Sequence, residues 1–415
     1  MFKKLISLDE AKKRIEETFS PKPLGVEEVS LLKAVGRVLA GDVVSPLNVP
    51  PFSRSTVDGY AVRAEDTFGA EEDSPVVLKL VGRVEVGEMS SLSLGKGSAV
   101  EIVTGAPMPA NADAAVMVEN TTQKGGEIFV YKAVAKSENV MKWGSDIQKD
   151  ETVLFHGTVL SSREVGVLAA IGFTWVQVFK QPKVAVVSTG AEVVEPGKPL
   201  SPGKIYDVNM YTLVAAVLES GGAPVGFGIV EDEDVELLRS TLKRAISEVD
   251  IVITSGGVSV GPKDVVPKIV GELGKPGLVV HGVAVKPGKP VAVAIVNGKP
   301  VFALPGHPTS SLLMFHLLVR PILFKMAGRK EKPFATVKAV VTEKLFSARG
   351  RRTFITVTLS RDERSRWLAS PVPTGQSGAI TTLAKADGYV ELKETQQFVE
   401  AGEELTVYLF KPLED

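Results

Sequence analysis

Between Lys183 and Leu323, apolar runs and amphipathic stretches alternate at the spacing of βαβ units, and that alternation leaves few folds open. Val184 to Val187 is a continuous apolar run, as expected of a parallel strand buried on both faces. Val225 to Val230 and Ile251 to Thr254 repeat the pattern. The segments between them read as helices. Asn209 can cap one that runs through Leu218 and closes at Gly221-Gly222. Asp234 caps a second, whose Leu238, Leu242, Ala245 and Val249 share one face. The region ends in a hairpin, Val291 to Val296 and Val301 to Leu304 about Asn297-Gly298, then an apolar helix from Thr309 to about Leu323. The fold expected here is an open, mostly parallel α/β sheet with helices on both faces.

The flanks differ in pattern. Ser7-Leu-Asp-Glu10 is a capping box ahead of Ala11, Ile15 and Phe19 on one helical face, stopped by Pro21 and Pro23. Leu32 to Leu39 reads as a short helix and Gly41 to Ser45 as a strand. From Val49 the character is β, with strands expected at Val76 to Val81, Ala99 to Val103, Ala114 to Val118 and Ile128 to Val134. A second capping box, Ser161-Ser-Arg-Glu164, opens a helix ending near Gly172. It is expected to return to the first helix, making the β segment an insertion. Beyond Gly328 only strands recur, at Thr336 to Val341, Thr353 to Leu359, Tyr389 to Leu392 and Glu404 to Leu409. That suits a small β-barrel of about 85 residues. The expected domains are an N-terminal helical and mixed one (residues 1–48 plus 146–180), an inserted β domain (49–145), the α/β domain (181–328) and the barrel (329–415).

Composition narrows the chemistry. The 48 Lys and Arg balance 49 Asp and Glu, which argues against nucleic acid as the main partner. No apolar run approaches the roughly 18 residues that span a bilayer, so no membrane role is expected. Met1 to Glu10 lacks an apolar export core, and a cytoplasmic location is expected. The chain has no cysteine, which removes disulfides, thiol nucleophiles and thiolate metal sites. His156, His281, His307 and His316 are scattered without metal-ligand spacing. A transition metal handled here must be held by oxygen ligands or arrive on a ligand with its own donor atoms.

In an open parallel sheet, ligands bind beyond the carboxyl ends of the strands. Three loops leave those ends: Ser188-Thr189-Gly190-Ala191-Glu192, Glu231-Asp-Glu-Asp234, and Thr254-Ser255-Gly256-Gly257-Val258-Ser259, which continues through Lys263 to Asp264. The third has the ingredients of an anion cradle, with paired glycines, two serines and a following helix start. A tight strand-to-helix connection would read the same way. Glu192, Asp232 and Asp264 could hold Mg²⁺ and orient a water against a phosphate. Taken singly, each reads more readily as structural, Asp264 as a helix cap and Asp232 as a solvated acid; their convergence at one edge turns the reading towards the metal. Lys286-Pro-Gly-Lys289-Pro290 sets two ammonium groups on a rigid turn, and Leu304-Pro305-Gly306-His307-Pro308 precedes another helix. In the insertion, Asp58-Gly59 has hairpin-turn chemistry, and Trp143-Gly-Ser-Asp146 is turn-like. Spacing alone makes neither catalytic.

Seven blocks in order resemble the molybdopterin molybdenumtransferase (gephyrin E-domain) family: Ser55-Thr-Val-Asp-Gly-Tyr-Ala61, Thr104-Gly-Ala-Pro-Met-Pro109, Ser188-Thr-Gly-Ala-Glu192, Ile205-Tyr-Asp-Val-Asn209, Ser255-Gly-Gly-Val-Ser-Val-Gly261, Lys286-Pro-Gly-Lys-Pro290 and Leu304-Pro-Gly-x-Pro308. The resemblance runs from the first helix to about Leu409. It implies a four-domain homodimer with a cleft between the α/β domain of one copy and the inserted domain of the other. It implies a reaction: adenylylated molybdopterin plus molybdate gives molybdenum cofactor and AMP, with Mg²⁺. The dithiolene of the pterin would supply the sulfur ligands, so the lack of cysteine fits. By motif position, Asp232, Asp264 and Glu192 would serve Mg²⁺ and hydrolysis. Ser255, Ser259, Lys286, Lys289 and Pro305 would line the pterin-phosphate and oxyanion pocket, with Thr189, Gly190, Gly256, Gly257, Gly306 and Pro308 in the same loops. Asp58, Thr104 and Asp146 would approach from the partner copy. Arg351 or Arg352, and Ser377, would complete the oxyanion site from the barrel.

Some positions depart from the family's usual pattern. Trp143 replaces a basic residue before Gly-x-Asp-Ile, Lys263 stands where an acid or Tyr is frequent, His307 replaces Asn or Tyr, and an arginine is missing near Thr356. Competing readings are the preceding adenylylation step, a tungstate-loading paralogue, or a scaffold like the family's receptor-clustering member. The adenylylating enzymes lack the insertion and barrel. A scaffold would need partner-binding linkers. Tungstate and molybdate share charge and nearly share size, so hydrogen bonds separate them poorly. The partners implied are a second copy, the molybdopterin adenylyltransferase and cofactor-accepting enzymes.

Overall fold

A computed structural model of the chain describes residues 5–231, 233–258, 265–330, 335–373 and 378–410. Asp232, Ser259, Lys263, Asp264 and Ser377 lie outside the described residues. The chain divides into two compact units. One holds the residues up to Glu27, Gly36–Val38 and everything from Val178 onward; the other holds Glu28–Val35 and Leu39–Gln177.

Helix α1 (Leu8–Thr18) belongs to the first unit. Ser7 accepts from the Glu10 amide at 3.1 Å, but the Glu10 carboxylate turns to Arg14 at 2.7 Å, so only half of the expected capping box forms. The helix buries Leu8, Ala11 and Ile15 in the α/β core, alongside Val283 and Val285. That core covers its apolar face.

The second unit is built on a six-stranded sheet made of β1 (Gly59–Val62), β2 (Val76–Val84), β3 (Ser98–Ile102), β4 (Ala114–Met117), β5 (Thr121–Lys124) and β6 (Glu127–Val130), in the order β4-β1-β3-β2-β6-β5. Gly59 opens the interior strand β1 and does not form a hairpin turn. A Cβ there would strike the Val116 carbonyl and stand 2.8 Å from the Val118 amide, which explains the glycine. In place of the short helix expected at Leu32 to Leu39, only Leu31–Lys33 forms a 3₁₀ turn. Helix α2 (Ser162–Ala170) carries a complete capping box between Ser161 and Glu164.

The first unit continues through β7 (Lys183–Thr189), α3 (Asn209–Glu219), β8 (Ala223–Val230), α4 (Val235–Glu248), β9 (Ile251–Ser255), α5 (Val266–Glu272), β10 (Pro276–His281), β11 (Ala292–Val296), β12 (Lys299–Leu304) and α6 (Pro308–Met326). The sheet order is β8-β7-β9-β12-β11-β10. The pairings from β8 to β12 are parallel; those of β11 with β12 and with β10 are antiparallel. The sheet is therefore mixed, because the hairpin at Asn297-Gly298 reverses the chain with both residues at positive φ. Strand parity sorts the two faces. Val184, Val186, Ile251, Ile253, Phe302 and Leu304 meet α1, α3 and α6, while Ala185, Val187, Val252 and Ala303 meet α4 and α5. Each of the Val, Ile, Leu and Phe side chains among these stabilises the fold by about 1.5–3 kcal/mol through burial.

Helix α6 contains a π-helical segment at Phe315–Val319. At 19 residues and a mean hydropathy of 1.2 it is long and apolar enough to cross a membrane, contrary to the sequence reading. With 72% of it buried against the sheet, it is a core helix.

The remainder is a closed five-stranded barrel of β13 (Thr336–Val341), β14 (Arg352–Arg361), β15 (Trp367–Pro371), β16 (Gly388–Leu392) and β17 (Glu404–Leu409). The order β14-β15-β13-β17-β16 closes because β16 also pairs with β14. Ala339, Val341, Val357, Ala369, Val390 and Val407 fill it.

Candidate functional site

A cleft of about 1510 Å³ opens in the first unit beyond the carboxyl ends of β7, β9 and β12, with barrel residues forming its other wall. Thr189, Glu192, Ser255, Gly256 and Gly257 line it from the first and third loops. Lys286, Lys289, Pro305, Gly306 and Pro308 join from the two later turns, and Arg351 from the barrel. These separated motifs meet in one concavity, as expected of an open sheet.

Local chemistry explains each position. Thr189 Oγ1 donates to the Ser255 carbonyl at 3.3 Å, tying the first loop to the third. Gly256 sits at φ +101°, and a Cβ there would meet the Thr189 carbonyl and lie 2.7 Å from Thr189 Oγ1. Gly190 adopts φ +141°, with the exposed Glu192 carboxylate folded over it. The lysine turn hangs from two neighbours. Val285–Lys286 pairs in parallel with Arg352 and Thr353 of β14, while Gly288 lies so close to Met314 that a Cβ would come within 2.9 Å of it. The turn thereby presents Lys286 and Lys289 beside the start of α6.

Asn209 does not cap α3. Asp207, only 5% exposed, accepts from the Met210 amide at 2.9 Å in that role. The Asn209 amide instead donates to Ser255 Oγ at 2.6 Å and to the Gly306 carbonyl at 2.7 Å. Sequence reasoning missed this side chain because Asn beside a helix start reads as a cap.

Arg352 is not part of the cleft. Its guanidinium forks onto both Asp9 oxygens at 3.1 and 2.7 Å and reaches Glu394 at 3.0 Å and Glu391 at 3.4 Å. The hydrogen-bonded Arg352 holds the Asp9 carboxyl below the usual range. With its donors committed to three carboxylates, Arg352 anchors β14, and Arg351 is the barrel arginine that lines the cavity.

An aromatic cluster backs the barrel wall. Tyr389 stacks on Tyr408 at 5.2 Å and meets Phe354 at 5.6 Å and Phe410 at 5.7 Å. Burial pushes the Tyr389 phenol up, so it stays neutral. Phe346, 67% exposed, stands at the rim.

In the other unit, Asp58 accepts from the Thr104 amide at 2.6 Å and its hydroxyl at 2.9 Å. Those bonds, the amide first, lower the Asp58 carboxyl below its ordinary value. Asp146 and Trp143 are exposed, and the Asp146 amide donates to the Val49 carbonyl.

Among the described residues no group of three or more His, Asp or Glu side chains could hold a metal. Of the three expected Mg²⁺ ligands, only Glu192 is described, and it lines the cleft.

Three family models cover the chain in succession: the MoeA N-terminal region (domain I and II) over residues 6–172, a probable molybdopterin binding domain over 185–325, and the MoeA C-terminal region (domain IV) over 338–410. Molybdopterin molybdenumtransferase 2 of Mycobacterium tuberculosis is 37% identical over 92% of this chain and 94% of that protein. The molybdopterin molybdenumtransferase of Haemophilus influenzae is 33% identical over 99% and 100%. The chain belongs to the molybdopterin molybdenumtransferase family. It is accordingly a transferase of molybdenum cofactor biosynthesis. Its multidomain fold is that of the family: the crystal structure of a molybdopterin biosynthesis MoeA protein from Pyrococcus horikoshii is 44% identical, with a TM-score of 0.81 over 99% of this chain and 100% of that one. Five of the seven motif blocks, those from Ser188 onward, contribute residues to the strand-end cleft, while the Ser55–Ala61 and Thr104–Pro109 blocks belong to the second unit.

Proposed function

We propose that this chain inserts molybdate-derived metal into adenylylated molybdopterin with Mg²⁺-dependent release of AMP, giving molybdenum cofactor. The carrying observation is the joining of Lys286, Lys289 and Arg351 with the Ser255-Gly256-Gly257 loop around one cleft. Three cations and a glycine-rich loop suit a substrate that brings a phosphoric anhydride and an oxyanion together. In that reaction water bonds to a phosphorus as the bridging P–O bond breaks and AMP leaves. Two metal–sulfur bonds form at the dithiolene as one metal–oxygen bond breaks, that oxygen leaving as water with the two thiol protons and the metal's oxidation state unchanged. Lys286, Lys289 and Arg351 offset the charge of the phosphate and oxyanion oxygens. Thr189, Gly190, Pro305, Gly306 and Pro308 shape the pocket, with Ser259 and Ser377 assigned by motif. Mg²⁺ would be held by hard carboxylate oxygens from Glu192, Asp232 and Asp264, and would polarise the anhydride. Glu192 fits that donor chemistry, being exposed and at the cleft.

The test is AMP release from adenylylated molybdopterin with Mg²⁺, titrating molybdate and tungstate separately and quantifying pterin-bound metal. Release coupled to incorporation is expected, and the preferred oxyanion names the metal. Formation of adenylylated pterin from ATP and free molybdopterin, without metal insertion, would replace this reading with the preceding step.

The proposal extends to a cytoplasmic homodimer made of the four expected domains. It includes exchange of substrate and product with the adenylyltransferase and cofactor-accepting enzymes. Asp58, Thr104 and Asp146 would then serve the cleft of the partner copy. Asp58→Asn and Asp264→Asn should each be inactive, and mixing them after verified subunit exchange should restore about a quarter of the activity, as one intact site in half the dimers requires. No recovery would place Asp58 outside a shared site.

A further inference from the structure

Three polar atoms at the carboxyl edge of the central sheet have no hydrogen-bond partner among the described residues: Ser188 Oγ, Asn209 Oδ1 and Thr309 Oγ1. All three residues line the cleft, and Ser188 and Thr309 are 2% and 7% exposed. Buried polar groups are almost always paired, and an unmet one carries a full desolvation penalty. Three along one wall of an open cleft are groups that a bound ligand can satisfy in place of water.

The fold brings them together. Ser188 of β7 is in register with Ser255 of β9. Both keep the parity of the residues that face α3 and α6, namely Val184 and Val186 in one strand and Ile251 and Ile253 in the other. Asn209 opens α3 over this edge, held by Ser255 Oγ and the Gly306 carbonyl. A carbonyl only accepts, so that bond fixes which end of the amide is nitrogen. Both amide hydrogens are engaged, and Oδ1 is left as an acceptor. Thr309 follows three residues after Gly306, in the first turn of α6. None of the three side chains is charged, and the cations of the cleft come from other elements.

We propose that Ser188, Asn209 and Thr309 form a neutral hydrogen-bonding subsite for the amino-carbonyl edge of the substrate's pterin ring, apart from the cations that take phosphate and oxyanion. This rests on adenylylated molybdopterin being the substrate. A phosphate or oxyanion offers only acceptors and would leave Asn209 Oδ1 unmet. The pyrimidinone edge of a pterin carries ring N–H and amino donors next to a carbonyl acceptor. An acceptor-only amide oxygen flanked by two hydroxyls that can donate or accept complements that edge. Adenine also carries an amino donor, so the test must separate the two rings.

The full-length Ser188→Ala/Thr309→Val double variant removes the two hydroxyls with little change of shape. Anaerobic calorimetric titrations would measure adenylylated molybdopterin, AMP and molybdate separately. The Kd for the adenylylated pterin should rise about ten- to a hundredfold, as loss of two buried hydrogen bonds implies, while AMP and molybdate change less than about twofold. The Tm of the free variant should not fall, because the unmet hydroxyls are gone, but the rise in Tm on adding the pterin should shrink. A merely structural role would lower the free Tm and is overturned or upheld by that reading. Wild-type protein that fails to bind adenylylated pterin would remove the substrate reading and this subsite with it. Wild-type binding matched by the double variant would remove the subsite alone. Loss of AMP affinity equal to that of the pterin would overturn the pterin assignment.

Discussion

Gly256→Ala should leave a protein destabilised by about 2–4 kcal/mol with turnover reduced at least about a hundredfold. Gly256 lies between Ser255, which Asn209 holds, and the rest of the glycine loop. Its φ of +101° is strained for any residue with a Cβ. An added methyl would also meet the Thr189 carbonyl, a backbone atom that cannot swing aside. Relief requires the first and third loops to separate, which moves Ser255 and Thr189 at once. Gly271→Ala, in α5 away from the cleft, is the control. Its Cβ would lie 3.6 Å from Leu278 Cβ, an ordinary contact, and its φ is not in the left-handed region. Denaturant unfolding and AMP release would be measured for both variants. A Gly256→Ala protein with normal stability and turnover would show that loop geometry at this position does not shape the site.

Much of this arrangement could be read from the residues, and the failures have definable causes. The continuous runs Val184 to Val187 and Ile251 to Thr254 specified buried parallel strands because no alternation competes with them. The Ser161–Glu164 box formed as read, whereas the Ser7–Glu10 box formed by half because Arg14 sits one turn on and attracts Glu10. Asp58-Gly59 carries turn chemistry locally, yet Gly59 is needed for close approach to a neighbouring strand, a long-range fact invisible to spacing. Asn209 was misread for the same reason: its partners Ser255 and Gly306 are 46 and 97 residues away. Arg351 and Arg352 are equivalent in sequence, and only the folded position of Asp9 separates the one at the cleft from the one in the ion-pair cluster. Ser188 did leave a signal, since two-residue parity puts it on the same sheet face as Val184 and Val186 at the strand end.

Acidification should weaken the first unit well before carboxylates alone would do so, through His316. Burial in the π-helical part of α6, with a smaller effect from Arg320, lowers its pKa from 6.5 to about 4. The ring lies against Phe315 at 5.7 Å and Phe410 at 6.2 Å. In the unfolded chain His316 takes a proton near pH 6.5, whereas in the folded chain it resists until about pH 4. The unfolded state therefore binds more protons in that window, and stability falls as pH drops from 6.5 towards 4, then levels. A shift of this size corresponds to about 3 kcal/mol lost across the window. His316→Phe keeps an aromatic contact with Phe410 and removes the titration. The difference in unfolding free energy between wild type and variant, taken at pH 7.5, 6.5, 5.5 and 4.5 (experimental settings spanning about two units around the histidine transition), cancels contributions from groups common to both. That difference should move in favour of the variant by the stated amount as pH falls. A difference that stays constant with pH would mean that His316 reaches solvent, or a protonated partner state, in the folded protein. The packing of α6 against Phe410 would then be looser than the aromatic contacts imply.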